Sequence, residues 1–265
     1  MEKLWNMGTL VQIQASVWSM ETHLEAEDIE KDKREIPDFV RLGYKRLFSK
    51  EVKNNFNRIV GKARNTARRQ GFDFFLTGAY FVPNSTLPDV LSTLNTLQPE
   101  FRRTVDSFIE RYDMERDSFL NKYPTYRSNL VPFYPTKEEV RNKFGFNVYC
   151  YKISSSAMTT DEALFLSQNV YVDWATQALN QLRKEARNVV LTLEKEIGDN
   201  TLDGRSVRRV QTLVRRLADL DLSKDTELLG AAKAVALGPT LQNLSQLQAK
   251  ASDLPPIRIR KLLFD

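Results

Sequence analysis

TLPDVLSTLNTLQPEFRRTVDSFIERYDMERDSFLNKY, residues Thr86–Tyr123, is the stretch whose reading decides the fold. Leu87, Leu91, Leu94, Phe101, Val105, Phe108, Tyr112 and Phe119 recur at spacings of four and three or their sums. That is a heptad-like apolar seam, broken at Gln98 and Glu115, and it needs helical faces to pack against. Pro99 has no N–H to donate, so the pattern predicts a short helix to about Leu97 and a longer one from Pro99. The second would run about 35 Å at the standard helical rise.

Working outward, Glu51–Gln70 is a second helical segment, with Val52, Phe56, Ile59, Val60, Ala63 and Ala67 along one face. Gly71 follows its last basic residues, Arg68 and Arg69, which suit a helix C-terminus electrostatically. Thr136 and Glu139 have the spacing of a capping box opening a short helix. Thr160–Ile197 is a long helix ended by Gly198-Asp199-Asn200. Its stripe runs through Ala163, Leu164, Leu166, Val170, Trp174, Ala178, Leu182, Ala186, Val189, Val190 and Leu193. Ser206–Leu220 and Thr226–Ala249 follow, the last interrupted at Gly238-Pro239. Pro255-Pro256 then imposes an extended path on IRIRKLLFD.

Three segments read as extended. In Thr9–Trp18, Val11, Ile13, Ala15 and Val17 alternate with Gln12, Gln14 and Ser16. Phe74–Val82 is aromatic around Gly78, a segment or small hairpin expected to be core rather than a base-stacking platform. Phe146–Ile153 alternates again and should hold Cys150 as a buried structural thiol rather than a nucleophile. Glu21–Asp38 reads as a solvated, charge-dense connection. The expected fold is mainly α, with long helical hairpins or coiled-coil-like helices and a small β layer. Residues 1–155 would form a mixed domain and 156–265 a helical region, the two also readable as one continuous domain.

Composition removes several function classes. The 265 residues are 42% hydrophobic and 28% charged, ordinary for a chain with a real core. Cys150 and His23 are the only cysteine and histidine, so a disulfide, a cysteine zinc site and most catalytic triads lack raw material. No apolar run is long enough to span a membrane and no signal peptide is evident, which predicts a reducing cytoplasm. Gly61-Lys62 is not a phosphate loop, because Phe56 and Ala63 occupy positions that need glycine and Ser or Thr. Glu110, Asp113, Glu115 and Asp117 lie beside Arg111 and Arg116, so helical ion pairs explain them better than catalytic carboxylates do. No enzyme activity, cofactor or metal is expected.

A net charge of +5 and a pI near 9.2 permit an acidic partner without demanding one. The sharpest charge pattern is Arg205, Arg208, Arg209, Arg215 and Arg216. Arg208 and Arg215 share a helical face, as do Arg209 and Arg216, opposite Val207, Val210, Leu213, Val214 and Leu217. Either this face contacts phosphates, or it is a solvated surface balanced by Glu194, Glu196 and Asp219. With Lys62, Arg68 and Arg69, these arginines are the candidate nucleic-acid or partner-binding residues.

The N-terminal half also carries a family pattern. Val17-Trp18-Ser19 ends the alternating strand, and Gly43, Lys45 and Arg46 lead into a helix. Arg69–Pro83 then reads R-x-G-F-x-F-F-x-x-G-A-Y-x-V-P, followed by Phe108 and Tyr112 as F-x-x-x-Y. This resembles a family of phages and integrative elements known as domain of unknown function 3150. The resemblance implies gene neighbours such as a MoxR-type AAA+ ATPase, a von Willebrand A-type protein and recombination proteins. It implies a non-catalytic adaptor in a bacterial host cell, working in a homo-oligomer or with the ATPase. A DNA- or RNA-binding recombination accessory is the alternative, and an inhibitor of a host defence system a further one. The family brings no catalytic residues to carry over.

Overall fold

The computed structural model describes residues 6–23, 43–151, 161–219 and 226–252, with helical backbone alone for 161–169. The protein is mainly helical with a small antiparallel sheet. The predicted connection over residues 24–38, the Thr160 cap, and the Pro255-Pro256 tail lie outside the described residues.

The strands are β1 (Gly8–Ser16), β2 (Glu21–His23), β3 (Tyr44–Arg46), β4 (Phe72–Asp73), β5 (Ala79–Pro83) and β6 (Gly145–Tyr151). The main helices are α1 (Lys50–Gln70), α2 (Leu87–Glu110), α3 (Tyr112–Lys122), α4 (Lys137–Asn142), α5 (Asp161–Gly198), α6 (Gly204–Asp219), α7 (Thr226–Leu237) and α8 (Leu241–Ser252). One sheet has the order β4-β5-β1-β6, and β2 pairs with β3 in a second.

The chain forms two compact units. One comprises Met1–Gln12, Ala67–Val90 and Cys150–Asp265, the other Ile13–Thr66 and Leu91–Tyr149. Neither coincides with a 1–155 or 156–265 division. The antiparallel register Gly8↔Pro83 to Gln12↔Ala79 couples segments far apart in sequence, so the first unit is discontinuous.

In the first unit, the hairpin β4–β5 lies in the aromatic run. Gly78 takes φ 73° in its turn, a backbone state most side chains avoid. Gly71 is required for a different reason: a Cβ there would meet the Phe81 carbonyl oxygen at 2.5 Å. Trp174 of α5 packs on Phe74 and Phe81, and its indole N–H donates to the Asp73 carbonyl at 2.8 Å. From there the core continues along α5 through Ala178, Leu182, Ala186, Val190 and Leu193 to α6, α7 and α8. Val170, placed in the same stripe by sequence, is exposed. The break at Gly238-Pro239 separates α7 from α8 as the sequence predicts.

The second unit buries the heptad-like seam. Leu94, Phe101, Val105, Phe108 and Tyr112 are buried, whereas Leu91 and Phe119 are only partly so. Their partners are rings: Phe56 of α1 meets Phe101, Phe108 and Phe144, and Phe48 meets Phe108, Tyr112 and Tyr134. The seam is thus covered within the chain by single aromatic side chains from several elements.

Three expectations are corrected. Pro99 does not end a helix but lies inside α2, and the break falls at Arg111. Pro99 and Asn95 are both exposed, so the Asn95 carbonyl that lost its i+4 donor lies on the solvent side of the helix. Buried Leu94, Leu97 and Phe101 hold the helix together across the site. Cys150 is exposed, because it sits in the outer half of β6 at the edge of the sheet. Partial burial still pushes its thiol upward, so exposure does not come with activation. Val207, assigned to the apolar face of α6, is exposed as well.

Candidate functional site

The site lies in the first unit, where α6, the floor helix α5 and the C-terminal end of α1 enclose an open groove of about 1040 Å³. The start of α6 is set by local chemistry. Asp203 Oδ1 accepts the backbone N–H groups of Arg205 at 2.7 Å and Ser206 at 3.1 Å, capping the helix. Those N–H groups, Ser206 first, hold the Asp203 carboxyl below its usual range. Ser206 is buried, and its hydroxyl donates to Glu196 at the end of α5. Arg209 Nη1 reaches the same carboxylate at 2.7 Å. Ser206 and Arg209 together keep Glu196 below the ordinary carboxylate range.

Buried Ser206, Val210, Leu213 and Leu217 form the inward face of α6. Arg216 is the surprise: it is buried although sequence placed it on the solvent face with Arg209. It stands at the flank of the apolar stripe, next to Leu217 and three residues after Leu213, where a long side chain reaches inward. Its Nη1 donates to the Arg68 carbonyl at 3.2 Å and the Arg69 carbonyl at 2.7 Å. Its guanidinium stacks over Phe72, 4.7 Å from the ring centre. Nε lies 3.1 Å from Glu185 Oε2 as an ion pair, but off the line of a hydrogen bond. Nη2 is buried without a hydrogen-bond partner among the described residues. Burial pushes the guanidinium downward, with Glu185 opposing, yet an arginine stays charged.

Arg216 is thus a remote cap for α1. A helix end leaves carbonyls without intrahelical partners. Arg216 satisfies those of Arg68 and Arg69, and Thr86 Oγ1 donates to that of Gln70 at 2.8 Å. This cap brings Arg68 and Arg69 to the groove wall facing α6. Arg68 pairs with Asp73 at 3.2 Å, and both remain half exposed.

Seven of the eight sequence-selected cations therefore line one groove: Arg68, Arg69, Arg205, Arg208, Arg209, Arg215 and Arg216. Lys62 does not; it is exposed on α1 in the other unit. Four of the seven have acidic partners: Arg68 with Asp73, Arg205 with Asp203, Arg209 with Glu196 and Arg216 with Glu185. The Arg205 pair is loose at 3.8 Å, with the arginine side chain 84% exposed. Arg69, Arg208 and Arg215 are exposed and have no carboxylate partner among the described residues. Among the described residues, the balance thus leaves three cations without a carboxylate on the groove. Such a surface can bind phosphate or carboxylate oxygens through forked N–H donors.

The sequence missed Glu185, the counter-charge on the floor, and the capping role of Arg216. The available signal was the position of Arg216 beside the apolar stripe rather than opposite it. Elsewhere, Asp113 and Asp117 are engaged with Arg116, Lys137 and Arg127, and Glu115 with Arg111. Among the described residues, no group of three or more His, Cys, Asp or Glu is placed to hold a metal ion. No described helix is long and apolar enough to cross a membrane.

Comparison with known protein families matches the chain to the family described as protein of unknown function (DUF3150), over residues 6–223. No curated protein and no solved structure matches the chain.

Proposed function

The chain belongs to the DUF3150 family, and from that premise we propose that it is a non-catalytic accessory protein of a phage or mobile element whose arginine groove binds nucleic acid. The carrying observation is the convergence of seven arginines from two helices, three of them without a carboxylate partner among the described residues. Each phosphate contact would release condensed counterions, which supplies affinity and makes it salt dependent. The buried Arg216 belongs to the scaffold, and Arg69, Arg208 and Arg215 are the contacting groups. Replacing Arg208, Arg209, Arg215 and Arg216 together with alanine would therefore confound unfolding with lost binding. The cleaner test replaces Arg69, Arg208 and Arg215 with glutamine and measures binding to labelled DNA and RNA at low salt. The reading expects clear binding by the native protein and a large loss in the variant. No binding by the native protein at low salt removes it.

A second reading is an adaptor for an AAA+ ATPase of the MoxR type, or for further copies of itself, in the cytoplasm of a bacterial host. Met114, Tyr123, Tyr126 and Val131 favour it, as large apolar side chains exposed along one segment of the second unit. Size-exclusion chromatography with light scattering, alone and with the ATPase, tests it. A monomer that ignores the ATPase contradicts it.

A further inference from the structure

We propose that the ligand of the groove is a nucleic-acid duplex, gripped by its phosphates without regard to base sequence, rather than an unpaired strand. This rests on the nucleic-acid reading given above and narrows it. The first support is what the groove lacks. Proteins that hold unpaired strands stack bases on aromatic rings along a basic channel. None of the described residues lining this groove is aromatic, and Val189 and Leu213 are the apolar residues among them. Phe72, the ring nearest to the arginines, is buried beneath Arg216. The described exposed rings of the same unit, Phe75 and Tyr151, are not part of the lining, and Phe75 packs by Phe74 and Tyr171.

The second support is the form of the cation array. Arg205, Arg208, Thr212 and Arg215 follow each other at three, four and three residues, so they make one exposed ridge along α6. Ten residues of helix rise about 15 Å, which matches roughly four base-pair steps of a duplex. Arg68 and Arg69 form a second row at the end of α1. Arg216 joins the two rows, since it is anchored in α6 and holds the carbonyls of Arg68 and Arg69. Two rows in fixed register suit a stiff, regularly spaced phosphate array better than a flexible strand.

The third support concerns base readout. Direct reading needs free amide or guanidinium groups reaching base edges. Of the three described amides in the lining, Gln181 is spent on Glu185, to which its Nε2 donates at 3.1 Å, Gln70 has its Oε1 buried, and Asn188 is exposed. One exposed amide reads too few base edges to fix a sequence, so the exposed arginines are assigned to the backbone phosphates.

The test is fluorescence anisotropy with the full chain at fixed low salt. It uses labelled DNA and RNA duplexes of about 20 base pairs, a base-scrambled version of each, and their separated strands, a length that exceeds the ridge. The expected result is that at least one duplex type binds about tenfold more tightly than its strands, the gap a missing stacking platform would leave. Its scrambled version should agree within about twofold, as phosphate contacts carry no base information. Strands that bind as tightly as their duplexes, or a scrambled duplex that fails to bind, overturn this inference and leave nucleic-acid binding standing. No binding by any of the probes overturns both.

Discussion

The two units solve burial with different side chains. The unit of residues 13–66 and 91–149 packs rings, with Phe48, Phe56, Phe101, Phe108 and Tyr112 in mutual contact. The other packs helices over small residues: Ala175, Ala178, Ala186, Ala232 and Ala251 are all buried there. Small side chains let helices approach closely. They also bring helix ends and long flanking side chains into the interior, and Arg216 is the outcome. In the ring-packed unit the polar groups set against the core include two phenols, of buried Tyr112 and half-buried Tyr134. Tyr112 donates to the Pro135 carbonyl at 2.7 Å and Tyr134 to that of Leu47. The lesson is that one unit uses polar burial to pin loops, whereas the other uses it to position charge beside a groove.

The comparison breaks most visibly at Phe56, which touches three other rings and is 1% exposed. Phe56→Ala should cost about 3–5 kcal/mol, the range for a buried phenylalanine truncated to a cavity. Urea denaturation measures it, and a loss under about 1 kcal/mol would mean the ring cluster does not hold the unit together.

Arg216→Ala comes next. The Glu185 ion pair contributes about 1 kcal/mol or less, because Glu185 keeps a third of its side-chain exposure. The larger part comes from two helix-end carbonyls left without a donor and from the absent stacking on Phe72. Together these give roughly 2–3 kcal/mol. Arg216→Lys should recover only part of it, since an ammonium lacks the planar face that stacks on Phe72 while Nη1 reaches both carbonyls. Full stability in the lysine variant would show that charge alone suffices.

A smaller effect appears at high pH in the ring-packed unit. Burial pushes the Tyr112 phenol up to about 12, and that of Tyr134 up as well. The unfolded chain ionises these groups near the ordinary value of about 10, so it sheds protons the native state keeps. Stability from this source is complete below about pH 10 and is lost as pH rises through the native value. Tyr112 alone should remove about 1 kcal/mol by pH 11. Urea unfolding at pH 9 and 11 reads the difference, and Tyr112→Phe should shrink it. An unchanged pH dependence in that variant would remove the argument.

Much of the fold was legible because local rules and tertiary demands agree. α1, α6 and the gap between α7 and α8 follow from periodicity, Gly71 and Gly238-Pro239. The capping box of Thr136 and Glu139 forms as spaced, with Glu139 also accepting the Thr136 N–H at 2.8 Å. What failed needed three dimensions. Pro99 breaks helices in isolation, but here packing on one side and water on the other retain it within α2. Cys150 has strand alternation on its side, yet alternation does not say that the strand is an edge. Helical-wheel reading grouped Arg209 with Arg216, but a wheel cannot show that one meets a carboxylate at the rim and the other the end of α1. The groove itself needed Arg68 and Arg69 brought beside residues more than a hundred positions later, which the long-range pairing of β1 with β5 and the Arg216 cap accomplish.

The central claim is that the arginines of the first unit divide into a buried support and exposed phosphate-binding groups. The salt dependence of binding for the Arg69→Gln/Arg208→Gln/Arg215→Gln protein tests it most directly. With thermal stability unchanged, the slope of log K against log salt should become shallower by about 2–3, near 0.9 for each phosphate no longer neutralised. A variant that keeps the native slope and affinity would contradict the account.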